Sequence, residues 1–157
     1  MTRRDFAGRT VVITGAAGGL GRSLCQRFAA AGASIAALDR DETALADLAQ
    51  ALTAQGQGHS IHPCDVTDAE ACATTIAGIA GRRGHIDVLI NNAGISHRSA
   101  FAATRLEVLH RVMDVNFWGA VNMTKATLPA LTLSRGLLVV ISSVAGFAPL
   151  IGRTGYA

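Results

Sequence analysis

Five short apolar runs, each followed by a stretch of helical character, constrain the fold of this chain more than any other feature. Residues 10–14 (TVVIT), 33–39 (ASIAALD), 58–65 (GHSIHPCD), 86–92 (IDVLINN) and 137–142 (LLVVIS) read as strands. Several are apolar almost throughout instead of alternating, as a parallel strand must be when helices cover both of its faces. The segments between them run about 12–20 residues, enough for a right-handed crossover helix. Strict β-α alternation predicts an α/β fold with a doubly wound parallel sheet. No repeat, low-complexity tract or linker interrupts it, so one domain over residues 1–157 is expected.

Local signals place the element ends. Gly32, Gly56, Gly84 and Gly136 punctuate them. Thr67 with Glu70, and Thr104 with Glu107, have the spacing of a capping box and predict two helix starts.

Composition bears mainly on what the chain is not. Half its residues are hydrophobic and 16% are charged, a globular balance. No apolar run approaches the ~20 residues that span a bilayer. The opening MTRRDFAGRT has arginines but no apolar stretch behind them, so neither a signal peptide nor a membrane partner is expected, and the location reads as cytoplasmic. The net charge of +3 comes from scattered arginines, with Lys125 the only lysine, which argues against a nucleic-acid partner. Cys25, Cys64 and Cys72 are odd in number and lack C-x-x-C spacing. They read as small buried residues in a reducing compartment, and no metal site is expected.

The chemistry begins where the first strand runs into TGAAGGLG, residues 14–21, with a helical pattern behind it. A strand, glycine turn and helix in that order let backbone amides meet a phosphate at the positive end of the helix dipole. Thr14, Gly15, Ala17, Gly19, Leu20 and Gly21 are therefore candidate cofactor contacts. Gly15 and Gly19 would clear a pyrophosphate, while Gly21 would allow close helix–strand packing. Asp39 ends the second strand and can accept hydrogen bonds from an adenosine ribose. It would also repel a 2′-phosphate, by ~1–4 kcal/mol per charge pair at about 4 Å. Arg40 could offset part of that repulsion, so NAD is preferred and NADP is possible. A competing reading makes Asp39 a cap for the helix that begins near Asp41.

With these residues in place, the sequence resembles the classical short-chain dehydrogenase/reductase family, in its N-terminal portion. The spacing T-G-x-x-x-G-x-G fits Thr14, Gly15, Gly19 and Gly21, and N-N-A-G follows the fourth strand as Asn91, Asn92, Ala93 and Gly94. Asp65 and Val66 match the pair that family members place beside the adenine. MDVNFWG supplies Asn116, and ISSVAG followed by Tyr156 matches the family's serine–tyrosine spacing, which selects Ser143 over Ser142. Taken alone, Asn91 and Asn92 could be turn formers, Asp65 a strand-end cap and Asn116 an ordinary helix residue.

The resemblance implies a Rossmann-like sheet in the order 3-2-1-4-5 and hydride transfer between nicotinamide and an alcohol or carbonyl substrate. Tyr156 would exchange the proton, Ser143 would hold the substrate oxygen, and Asn116 would help position a water. It also implies a lysine four residues after the tyrosine. An ordinary tyrosine has a pKa of about 10, and the family lowers it with that ammonium group. Counted here, the lysine would lie three residues beyond Ala157. The expectation is thus a C-terminally incomplete domain: its last strands and helices missing, its fifth strand an exposed edge, and the fragment weakly active or inactive. The full-length form is expected to be a homo-oligomer. The alternative is a non-catalytic dinucleotide-binding module, or a fragment that needs a complementing chain. His97 and Arg98 fall on a loop past N-N-A-G and read as surface, and residues 144–155 are expected to line one wall of the substrate site.

Overall fold

A computed structural model describes residues 5–54, 56, 58–148, 150–153 and 156. Residues 1–4, on which part of the leader reading falls, and positions 149, 154 and 155 of the expected substrate wall lie outside the described residues. The elements are β1 (Thr10–Thr14), α1 (Gly19–Ala30), β2 (Ser34–Asp39), α2 (Glu42–Thr53), β3 (His59–Pro63), α3 (Ala69–Arg83), β4 (Val88–Asn91), α4 (Leu106–Met113), α5 (Gly119–Ser134) and β5 (Leu137–Val140). One turn of π-helix, Asp114–Trp118, joins α4 to α5. No helix among the described residues is long and apolar enough to cross a membrane.

All five strands are parallel, in the order β3-β2-β1-β4-β5. β1 is buried at every position, and its alternate residues feed two separate cores. Val11 and Ile13 pack with Leu45, Leu48 and Leu52 of α2 and Cys25 of α1. Val12 packs on the other face with Ile76 and Ile79 of α3 and Met123 and Leu131 of α5. Helices on both faces therefore explain why the strands are apolar throughout. The register sets Thr14 against Leu38, Asp39 against Pro63, and Asn91 against Val140. The carboxyl ends of the strands thereby line up along one edge, where an open α/β sheet binds its ligands.

Before β4, the Asp87 backbone already bonds both neighbours, its N–H donating to the Thr10 carbonyl at 2.9 Å and its carbonyl accepting the Leu137 N–H at 2.8 Å. The Asp87 carboxylate, 6% exposed, accepts the Thr10 N–H at 2.8 Å and an Arg9 N–H at 2.6 Å, pinning the start of β1.

Three end signals are corrected. Asp68, not Thr67, caps α3, accepting the N–H groups of Glu70 and Ala71 at 3.0 Å, because the Thr67 hydroxyl donates to Asp65 instead. α4 starts behind Arg105 without a side-chain cap, and Thr104 donates to the Ala100 carbonyl. At the end of α5 the left-handed residue is Arg135 (φ 51°), not Gly136. A Cβ at Gly136 would stand 2.6 Å from the Asp87 carbonyl oxygen, so close approach accounts for that glycine.

Candidate active site

The glycine turn is held from two sides. On one side, the Thr14 hydroxyl oxygen accepts the N–H groups of Asn92 and Ala93, both at 3.0 Å. The Asn92 side-chain amide donates to the carbonyls of Thr14 (3.0 Å) and Gly15 (3.1 Å). On the other, the Asp39 carboxylate accepts the Ala17 N–H at 3.0 Å and the Asp41 N–H at 3.2 Å. The cap of α2 is Asp41, which accepts the Ala44 N–H at 2.9 Å, and Asp39 stands free of that role. Thr14, Ala17 and Asn92 thus work as braces between strands.

The glycines divide by task. Gly15 has φ +60°, and a Cβ there would lie 2.8 Å from the Ala93 Cα. A Cβ at Gly21 would run into the Gly15 carbonyl oxygen. Both are required by the protein's own packing, which for Gly15 replaces the expectation of ligand clearance alone. A Cβ at Gly19 meets nothing within 4 Å. Gly19 opens α1, whose N-cap Gly18 offers no side-chain acceptor, so the first-turn N–H groups border open space.

That space is part of a cleft of about 700 Å³, within the range of ligand pockets. Asp39, Arg40, Asp65, Val66, Asn92 to Gly94, Ser143 and Tyr156 all line it together with Gly19. Asp65 accepts the N–H (2.9 Å) and hydroxyl (2.8 Å) of Thr67, which hold its carboxyl below the usual carboxylate range. The Val66 carbonyl accepts the Asn122 amide at 3.0 Å, tying this wall to α5.

Asn116 sits within the π-turn, a local widening often found at functional sites. Its amide is engaged by one residue: Nδ2 donates to the Ile95 carbonyl at 2.9 Å, and Oδ1 accepts the Ile95 N–H at 2.8 Å. It therefore fixes the segment after β4. Ser143 caps a short turn, Val144–Gly146, by accepting the Ala145 N–H at 3.2 Å, which leaves its O–H proton available. Tyr156 lines the same cleft, its N–H bound to the Arg153 carbonyl at 2.8 Å. Asn91 lies apart, buried at the end of β4 and donating to the Thr124 hydroxyl at 2.9 Å. Lys125 is exposed on α5.

Some of the wall is not singled out by the sequence, although Val115 and Ile141 fall inside the MDVNFWG and ISSVAG motifs. Ile95, Ser96, Val115, Ile141 and Cys64 also line the cleft. Ser96 accepts a hydrogen bond from the Arg153 guanidinium at 2.9 Å, and the Ser99 N–H donates to Gly152 at 3.0 Å, so the segments after β4 and β5 close on each other. Direct succession to N-N-A-G is the one clue to Ile95 and Ser96. His97 lies just outside, bonded to Ser99 at 3.0 Å.

Parallel order, glycine turn and edge cleft together define a Rossmann-like α/β protein. Residues 9–157 match the model of the short chain dehydrogenase family, and the chain belongs to that family. Among its relatives, Dehydrogenase/reductase SDR family member 7B of Bos taurus is 47% identical, the match covering 94% of this chain and 47% of the relative. The chain spans about half the length of the curated relatives it matches. In structure it is similar to NAD+-bound xylitol dehydrogenase, with TM-score 0.94 and 29% identity over 98% of this chain and 60% of that one. It is also similar to a metagenomic short-chain oxidoreductase in complex with NADP, with TM-score 0.90 and 27% identity over 96% of this chain and 69% of the other.

Proposed function

We propose that the chain carries the cofactor cleft and proton-transfer groups of an NAD(P)-dependent oxidoreductase that interconverts an alcohol and a carbonyl compound. One observation carries this reading: a single cleft joins the open space at Gly19 to Ser143 and Tyr156. The residues present fit a nicotinamide dinucleotide, since the turn leaves unfilled space in front of uncapped helix N–H groups. Such a cofactor supplies the hydride donor or acceptor.

The chain's own groups do the rest. The first turn of α1 meets the diphosphate with N–H donors and the positive end of its dipole. Asp39 uses one lone pair of each carboxylate oxygen for Ala17 and Asp41 and keeps the others for ribose hydroxyls. Its charge favours NAD over NADP, although Arg40 beside it tempers the difference. Ser143 donates its proton to the substrate oxygen, and the Ala145 N–H it accepts makes that proton a better donor. Tyr156 takes the alcohol proton in oxidation and returns it in reduction. Asn116 holds the Ile95 backbone, and so the wall that faces Ser143. Exposed Phe117 and Trp118, stacked edge to face at 5.1 Å, support a homo-oligomeric full-length form.

The test pairs binding with turnover. The protein is lengthened to the span of its relatives, because these 157 residues by themselves are expected to be weakly active or inactive. It is assayed with NADH and a panel of ketones, and with NAD+ and secondary alcohols, beside its Tyr156→Phe variant. Turnover should fall by about 10²–10⁴ in the variant, the usual weight of a general acid/base, with NADH affinity unchanged. Dinucleotide binding without turnover in any pairing would mark the chain as a binding module instead.

A further inference from the structure

The sequence spacing gives Cys64 and Cys72 no redox motif, yet the fold brings them together. Cys64 follows the last residue of β3 and lines the cofactor cleft, 6% exposed. Cys72 lies in the first turns of α3 and is fully buried. The Cys72 sulfur is 3.8 Å from the Asp65 carbonyl oxygen and 3.6 Å from that of Val66, against the backbone that leaves Cys64. Both side chains belong to the same core cluster.

We propose that Cys64 and Cys72 form a peroxide-reactive pair, in which Cys64 is attacked from the cleft and Cys72 closes an intrachain disulfide. The partition of roles follows from access. Only Cys64 borders the cleft, while Cys72 sits behind it without solvent contact. Charge runs the same way. The neighbouring Cys72 thiol, with a smaller contribution from Thr75, brings Cys64 down to about 7 despite its burial and the carboxylates of Asp65 and Asp68. Cys72, beside Cys64 and buried, is pushed up. The thiolate is the nucleophile, so Cys64 reacts first. Burial raises Cys25 to about 12, which makes it an internal control.

The chemistry balances. The Cys64 thiolate attacks one peroxide oxygen, the O–O bond breaks, and the departing hydroxide takes a proton to become water. Cys64 is then a sulfenic acid. The Cys72 sulfur attacks the Cys64 sulfur, the S–O bond breaks, and hydroxide leaves with the Cys72 proton as a second water. Two thiols are oxidised to one disulfide, and one hydrogen peroxide is reduced to two waters. The link would tie the end of β3 to α3 across the turn that bears Asp65 and Val66, independently of what the cleft binds.

The test is peptide mapping by mass spectrometry after the folded chain is treated with a small excess of hydrogen peroxide. The expected result is a Cys64–Cys72 cross-linked peptide that reductant removes, with Cys64 consumed at least about tenfold faster than Cys25. In Cys72→Ser, a dimedone adduct should appear on Cys64 and no disulfide should form. Oxidation of Cys25 as fast as Cys64, or a Cys64 that goes to sulfinic acid in the unaltered chain without the cross-link, would overturn the proposal. Both of those results are read on the unaltered chain, so a poorly folding variant does not obscure them.

Discussion

Gly19 and Gly21 stand two residues apart in one turn and serve different ends. A methyl group at Gly21 collides with backbone, whereas one at Gly19 enters empty space. Gly21→Ala should therefore destabilise the fold by about 1–3 kcal/mol in urea denaturation. Gly19→Ala should leave the urea midpoint nearly unchanged and weaken NADH binding at least tenfold. Equal effects of the two on stability would contradict this division. The motif makes all of these glycines visible in the sequence but not what each one touches, because the contact on Gly15 comes from Ala93. Thr14 and Asn92 are similar: each is legible as a motif member, yet the bonds that make them braces span 78 positions. Asp39 reads as a ribose acceptor; its hold on Ala17 is not legible, since no local rule sets a strand-end carboxylate against a turn 22 residues earlier.

At the scale of elements, strand cores are legible and ends less so. The apolar runs mark the central strands β1, β2 and β4 because burial on both faces leaves little room for polar residues. The ends are lost where a neighbour outcompetes the local rule. Thr67 has capping-box spacing, but Asp65 takes its hydroxyl, and Asp68 caps α3. Residues 86–87 look like strand, and the Asp87 backbone bonds as one, while its carboxylate turns to the N–H of Thr10. Thr10 is 2% exposed, so removing that acceptor strands a buried donor, at a cost of about 1–3 kcal/mol. Asp87→Ala should lower stability by that amount in urea denaturation, with Asp87→Asn recovering part of it through its amide oxygen. Arg9→Ala should cost far less, since the arginine is 58% exposed and its ion pair screened. An Arg9→Ala loss as large as that of Asp87→Ala would place the weight on the charge pair instead.

For the molecule as a whole, β-α alternation is enough to anticipate a doubly wound parallel sheet, while its order 3-2-1-4-5 is what the family resemblance implied. Among the described residues β5 pairs on one side only, and Leu137 and Val140 are more than half exposed, in keeping with the expected exposed edge. What the sequence does not reveal is the closure between the segments after β4 and β5, where Arg153 meets Ser96. It depends on two loops being brought to one edge of the sheet, and the motifs they carry, N-N-A-G and ISSVAG, do not say that Ser96 and Arg153 meet. Tyr156 and Ser143 line the same cleft as Gly19. A nicotinamide dinucleotide held along the length of this cleft is the central claim. The most direct test is calorimetric titration of the folded chain with NADH, with NADPH run alongside. Saturable one-to-one binding of NADH, tighter than that of NADPH, is the predicted result. A chain that keeps its fold yet shows no saturable binding of either dinucleotide would contradict it.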